Sequence, residues 1–307
     1  ILPQIDLVKR FENTNLNGDL YLKSNNYVRN YQTNILEKTN VNDLIFNSNP
    51  KISNNGIYNN YDVIIKNVNS DSKNSKNFKK DENSYISSLF QFNSSLPLVK
   101  ESEKYQNLLK PKLALKISPN YTKDISDNKD RIDINDIYNL NRISADDTVE
   151  GGVSLTYGNE FSILEKDNLK EIFQFKLANS IRLEENNDLP EANQLGEKTS
   201  DFFGEITYNF NDFLTTKYNA SIKNNFDDIT YENLVTEVSI NNFVTTFDYI
   251  NENNTVDKNS YLQNTTKFRF NDTNNIAFST RRNKKTDLTE YYNLMYQYKN
   301  DCLAASV

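Results

Sequence analysis

Nucleophilic Ser-His and Cys-His systems and most catalytic metal sites need an imidazole. This chain has no histidine and one cysteine, Cys302. The usual routes to a lipase, a protease or a His-ligated metal are therefore closed. Its 42 carboxylates could pair for acid-base work, but they are scattered through strand-like and loop-like stretches without a distinctive constellation. The reading is non-enzymatic, with no catalytic, cofactor-binding or metal residue assigned and no cofactor expected. A lone cysteine makes no internal disulfide, so Cys302 is a free thiol or one half of a bridge to a partner outside this sequence. Two basic runs could meet polyanions: residues 73–80, and Arg281, Arg282, Lys284 and Lys285. A solvated loop is the competing reading for both. The pI of about 5.0 and the lack of a sustained basic patch argue against nucleic acid. Arg281, Arg282, Lys284 and Lys285 remain candidates for contact with anionic lipid headgroups.

The elements that carry these residues read as strands. Over residues 149–163 nearly every second position is apolar or Gly (Val149, Gly151, Val153, Leu155, Tyr157, Phe161, Ile163), and most positions between are polar, among them Glu150, Ser154, Thr156 and Glu160. Soluble strands usually stop after about 5–6 residues, whereas a strand tilted across a bilayer needs about 9–11. The same period of two recurs downstream, in Phe173, Phe175 and Leu177, in Phe202, Ile206 and Tyr208, and in Tyr218, Ala220 and Ile222. Opposite lie Lys176, Arg182, Glu205, Lys217, Lys267 and Arg269. The pattern predicts Val153, Leu155, Phe175, Ile206 and Tyr218 facing lipid, with Glu150, Lys176, Glu205 and Lys217 facing a charged, wet interior. Upstream, strand-like runs lie near 2–11, 16–24, 27–35, 58–68, 85–96 and 111–117. Pro97, Pro111 and Pro119 are expected at strand ends or bulges, and the Gly151-Gly152 pair marks a bend or a close backbone approach rather than a ligand contact.

Composition agrees. Only 36% of the chain is hydrophobic and the mean hydropathy is −0.75, against about 45–50% apolar for a typical soluble domain. Disorder fits poorly with a net charge of −7 and with 19 Tyr and 18 Phe. A membrane barrel with a polar interior accommodates both facts, and no apolar run is long enough for a transmembrane helix. Short turns near 165–168, 211–212, 241–242, 271–275 and 300–301 alternate with longer polar loops at 184–199, 251–260 and 282–288, the loop asymmetry of outer-membrane barrels. The short 227–228 connection is the exception. The expected fold is all-β, a partial antiparallel transmembrane β-barrel of outer-membrane type with long hairpins and roughly 14–18 strands. Residues 1–307 are expected to be part of one outer-membrane β-barrel domain, a fragment without its export signal and at least one terminal element.

Residues 141–158, N-R-I-S-A-D-D-T-V-E-G-G-V-S-L-T-Y-G, resemble the LptD family of outer-membrane lipopolysaccharide-assembly proteins. The residues carrying the likeness are Asn141, Arg142, Glu150, Gly151, Gly152, Tyr157 and Gly158. Leu2-Pro3, Lys198-Thr199-Ser200-Asp201 and the stretch Tyr296-Gln297-Tyr298-Lys299-Asn300-Asp301-Cys302 agree. The resemblance implies insertion of lipopolysaccharide into the outer leaflet of a Gram-negative outer membrane. It also implies a lateral seam, an LptE-like plug lipoprotein as partner, and an LptA-like periplasmic bridge reached through an N-terminal periplasmic domain. That domain and the closing C-terminal strand are expected to lie outside this sequence. Cys302 matches a family position bridged to the periplasmic domain, although some members have two adjacent cysteines where this chain has Asp301 beside one. A diffusion porin or other uptake barrel, and a secreted β-rich surface or adhesion protein, remain open as alternatives.

Overall fold

The computed structural model describes residues 3–11, 16–31, 34–75, 78, 81–119, 122–129, 131–143, 145–253, 258–300 and 302–307. Among them the strands are β1 (Gln4–Phe11), β2 (Gly18–Tyr31), β3 (Ile35–Ser48), β4 (Lys51–Ile52), β5 (Tyr58–Lys73), β6 (Asp81–Ser95), β7 (Leu98–Glu101), β8 (Tyr105–Ser118) and β9 (Gly152–Glu165). There follow β10 (Glu171–Arg182), β11 (Phe202–Asn211), β12 (Leu214–Ile222), β13 (Ile229–Ile240), β14 (Phe243–Asn253), β15 (Lys258–Arg269), β16 (Asn274–Asn283), β17 (Leu288–Lys299) and β18 (Ala304–Ser306). They form one 18-stranded antiparallel sheet, consistent with a β-barrel-type fold. The only helical element among the described residues is a single 3-10 turn, Glu191–Asn193. The long strands run from 9 residues in β12 to 16 in β5. That exceeds soluble strand lengths, as the period-two runs predict.

Several boundaries differ from the sequence expectation. The two runs near 16–24 and 27–35 are one continuous strand, β2, and β3 is a strand that the alternation did not reveal. Alternation fails there because β3 carries Asn40 and Asn42 on one face and the charged Glu37 and Asp43 on the other. The run at 149–163 starts as coil, since β9 begins only at Gly152. Pro111 lies inside β8 rather than at its end. Its missing N–H costs nothing there, because β8 changes partner at that point: Lys112 pairs with Ser95 of β6, and Leu109 pairs with Leu98 of β7. Of the three expected long loops only residues 183–201 are long, because β14 to β17 extend into the other two.

The chain divides into two compact units. The first comprises Ile1–Pro97, Pro111–Tyr157 and Ser180–Ser200, and the second Leu98–Lys110, Gly158–Asn179 and Asp201–Val307. In the second unit, cross-strand partners, which share a face, sort by polarity. Phe175 lies opposite Ile206, Ile206 opposite Tyr218, Tyr218 opposite Leu234 and Leu234 opposite Tyr249, and Ile206 and Leu234 are exposed. On the other face Lys176 lies opposite Glu205 and bonds to it at 2.9 Å, while Lys217 reaches the same carboxylate at 2.8 Å.

The first unit differs from the expected wet interior. Val41, Ile45, Ile64, Val68, Leu89 and Ala114, on one face of β3, β5, β6 and β8, are all buried. A single sheet cannot bury its own face. The cover comes from the stretch between β8 and β9, whose Ile132, Ile134, Ile137, Ile143 and Val149 are also buried, and from 183–200, which buries Leu189, Ala192 and Leu195. Chain rather than water fills this part of the interior. Leu89→Ala should therefore cost about 2–5 kcal/mol in denaturant unfolding of the detergent-folded protein, as for a packed core. Ile86→Ala, on the opposite face of β6 and 73% exposed, should change stability by less than about 0.5 kcal/mol. Equal losses would refute the packed face.

Candidate functional site

The segment 119–151 leaves β8, crosses the covered face of the first unit and returns at β9. Backbone groups without strand partners must be satisfied some other way, and the strands beneath supply the means. Gln91 donates to the Tyr138 carbonyl at 2.7 Å, and Lys116 donates to the Asn139 carbonyl at 2.6 Å. Lys66, itself paired with Asp43 at 2.7 Å, donates to the Asp146 carbonyl at 2.6 Å. The Tyr85 hydroxyl donates to the Asp147 carbonyl, and Lys123 pairs with the Asp147 carboxylate at 2.5 Å.

The centre of this attachment is Glu150, 2% exposed. Arg142 approaches it as a fork, with Nε to Oε2 and Nη2 to Oε1 both 2.6 Å, the geometry that planar guanidinium and carboxylate groups favour. From β10, Arg182 Nη2 reaches Oε1 at 2.6 Å, and from β8 the Lys116 ammonium lies 3.6 Å from Oε2. Buried ion pairs hold only when the remaining donors are also satisfied, and here they are. Arg142 donates to Thr156 Oγ1 and Ser180 Oγ at 3.0 Å and to Ser154 Oγ at 3.1 Å. Arg182 donates to the Gly151 carbonyl at 2.8 Å and the Leu195 carbonyl at 3.0 Å. One carboxylate thereby ties the 119–151 segment, β8, β10 and the 183–200 segment together.

The glycines have specific tasks. Gly151 accepts from Arg182 and donates its N–H to Thr122 Oγ1 at 2.8 Å. Gly152 has φ of +91°, a conformation that L side chains rarely adopt, and a Cβ there would sit 3.1 Å from Arg182 Nη1. The sequence reading of this pair as a bend with close backbone approach matches that geometry.

The residues singled out from sequence separate in space. Arg142, Glu150 and Gly151 come together in the buried cluster with Gly152 exposed at its edge, while Asn141 and Tyr157 are exposed and Gly158 is half-buried. Arg281 and Arg282 do not form a joint patch. Arg281 pairs with Glu290 at 2.8 Å and lies 3.8 Å from the centre of the Tyr261 ring, whereas Arg282 pairs with Asp287 at 2.7 Å. Lys284 and Lys285 sit in the turn after β16. Of the other basic run, Lys76, Lys79 and Lys80 lie outside the described residues. Cys302 is an exposed free thiol in the turn before β18. Sequence reasoning missed Lys116, Thr122, Thr156 and Ser180 as members of the cluster. Arg182 showed only as a charge opposite the apolar face of its strand, the one available signal for its role.

Burial alone would raise the Glu150 pKa, but the charges of Arg142 and Lys116 and the Arg142 hydrogen bonds hold it well below the ordinary value of 4.5. Its contacts hold these chain segments together. Glu150→Gln, which leaves buried cations without their counter-charge, should lower unfolding stability by about 3–5 kcal/mol. Because the folded carboxyl titrates below the unfolded one, its contribution is complete above pH 4.5 and fades as the pH falls below that value. The stability gap between wild type and Glu150→Gln should thus persist from pH 7 to about pH 5 and shrink under stronger acid. A gap that first opens below pH 4.5 would contradict this arrangement.

No match was found among curated proteins. The family model described as LptD, LPS transport system D, matches residues 9–283, a span that contains both the Arg142–Glu150 pair and Arg182. With that match over most of its length and an all-antiparallel sheet of long strands, the chain belongs to the LptD family, whose role lies in lipopolysaccharide transport and outer-membrane assembly.

Proposed function

We propose that this chain is part of the barrel of an outer-membrane translocon that inserts lipopolysaccharide into the outer leaflet, without catalysing a covalent step. The observation that carries the reading is the family match over residues 9–283. The segregated faces of the second unit support it: exposed Ile206, Leu234, Phe247 and Phe278 suit a hydrocarbon boundary, while Lys176, Glu205 and Lys217 form an ion-paired polar face. In this reading residues 1–307 span the bilayer as a multi-pass barrel domain. An LptE-like lipoprotein occupies the lumen, and an LptA-like bridge delivers lipid through a periplasmic domain N-terminal to this sequence. Cys302 is assigned as a structural half-cystine to that domain, for which its exposure is suitable. The driving energy comes from the machinery behind the bridge, since an amphiphile with an anionic headgroup meets a large desolvation cost at the hydrocarbon layer.

The decisive experiment is depletion and complementation in the native Gram-negative host. Without the full-length protein, newly made lipopolysaccharide should stop reaching the cell surface, and expression of the full-length protein should restore it. Unchanged surface lipopolysaccharide, with loss only of small-solute flux, would instead identify a porin. The membrane orientation has its own test by refolding into vesicles. Ile206→Arg should cost about 2–4 kcal/mol, and Asn219→Arg, across from Glu205, much less. Equal costs would remove the lipid-facing assignment. Mass spectrometry of non-reduced full-length protein should find Cys302 linked to a peptide of the upstream domain, and a free thiol in functional protein would overturn the bridge.

A further inference from the structure

The open face of β2, β3, β5 and β6 carries two kinds of row. At one end Leu20, Phe46, Val63 and Phe90 lie opposite one another, followed by Leu22, Leu44 and Ile65. The next row is Ser24, Asn42 and Asn67 and ends on the exposed Ile86, and the one after it is Asn26, Asn40, Asn69 and Ser84. Rows are about 7 Å apart along a strand, so the apolar positions Tyr61, Val63 and Ile65 of β5 span roughly 14 Å, against an apolar band of about 25 Å on membrane barrels. The amide rows therefore fall at a level where such a face is ordinarily apolar. Bare amides in hydrocarbon are costly. Something polar must meet them.

The amides form a ladder: Asn40 donates to Asn26, Asn42 to Asn40 at 2.6 Å, Asn69 to Asn40 at 3.1 Å and to Asn67 at 2.6 Å, and Ser84 to Asn69 at 2.6 Å. Each amide has two N–H donors and an oxygen with two lone pairs. The ladder leaves an N–H spare on Asn40 and a lone pair spare on Asn26 and Asn69. A cavity of about 550 Å³ opens over Asn26, Asn40, Asn69 and Ser84, with Ile5 and Val28 on its apolar wall. Its far border is acidic. Asp71 and Glu82 line it, and the nearby Lys38 is taken by Asp71 at 2.8 Å. That border disfavours phosphate and carboxylate. Alternating donors and acceptors beside an apolar wall suit a group that both donates and accepts and also presents C–H surface: the hydroxyls of a neutral sugar ring.

We infer that this amide ladder is a saccharide-binding site on the outer face of the sheet, which takes neutral sugar residues of a glycolipid. The inference rests on the proposed lipopolysaccharide function for the identity of the glycolipid. It is tested in the full-length protein reconstituted in phosphatidylethanolamine–phosphatidylglycerol vesicles, with a photo-crosslinking amino acid at Ser84 and, separately, at Ile65. With purified lipopolysaccharide that has its core sugars, Ser84 should crosslink to the glycolipid. With lipid A alone, the Ser84 yield should fall about tenfold, the effect of losing roughly two hydrogen bonds. The Ile65 yield should be similar for both. The double variant Asn40→Leu and Asn69→Leu should lower the Ser84 yield comparably while heat-modifiable migration shows the barrel folded. If the double variant fails to fold, Asn40→Ser with Asn69→Ser replaces it. Equal Ser84 yields with lipopolysaccharide and lipid A, or no Ser84 crosslink while Ile65 reacts, would overturn the sugar site yet leave the transport reading intact. Failure of the depleted host to lose surface lipopolysaccharide would overturn the transport reading instead, and a sugar-dependent Ser84 crosslink would then still support the site.

Discussion

Removing a carboxylate from water is unfavourable unless the protein replaces every hydrogen bond that water made, and Glu150 is the place where this fold meets that requirement. Two guanidinium groups and an ammonium converge on its two oxygens, and their other donors end on hydroxyls and carbonyls of four separate chain segments. No single segment could satisfy the set. The 119–151 segment can therefore lie across the sheet only in the position that completes it, and the apolar burial of Ile132, Ile137 and Val149 depends on that position. Hydrophobic contact alone would permit sliding, since it has no direction. The ionic cluster fixes the register.

This arrangement explains how a chain with 36% hydrophobic residues still packs an interior. In the first unit the sheet face that a porin would leave wet is closed by irregular chain, and its polar residues are spent on backbone carbonyls of that chain rather than on water. In the second unit, polar residues on the equivalent alternating positions pair with one another across strands, as Glu205 does with Lys176 and Lys217. The same period-two pattern thus serves two different interiors, and hydropathy cannot distinguish them.

That limit sets what was legible in the sequence. Alternation found β10, β11 and β12 because apolar and polar positions there answer to two contrasting environments. It missed β3 because Asn40 and Asn42 stand on its open face as polar neighbours of polar strands. It began β9 too early because Val149 and Gly151 keep the apolar phase although Gly152 breaks the extended backbone. The Arg142, Glu150, Gly151 and Gly152 motif was visible, but its partners were not: Lys116 and Arg182 lie on strands far along the chain, where a charge on an interior face looks like any other. Pro111 was correctly seen as a ladder defect, whereas its location in mid-strand followed from a change of partner that only pairing reveals.

The sequence separation of the Glu150 ligands also dictates an order of assembly. The long hairpins between β11 and β17 close locally, with little loop entropy to overcome. Glu150 is different, because its cations come from positions 116, 142 and 182, and Arg182 is itself held by Leu195. Until β10 and the segment after it have emerged and docked, the carboxylate stays hydrated and the 119–151 segment has no fixed seat. Contacts of such range form late and slowly. The contacts that fill the interior accordingly carry the largest loop-closure cost in the first unit, and a sheet without them would leave its Val41, Val68 and Leu89 face uncovered.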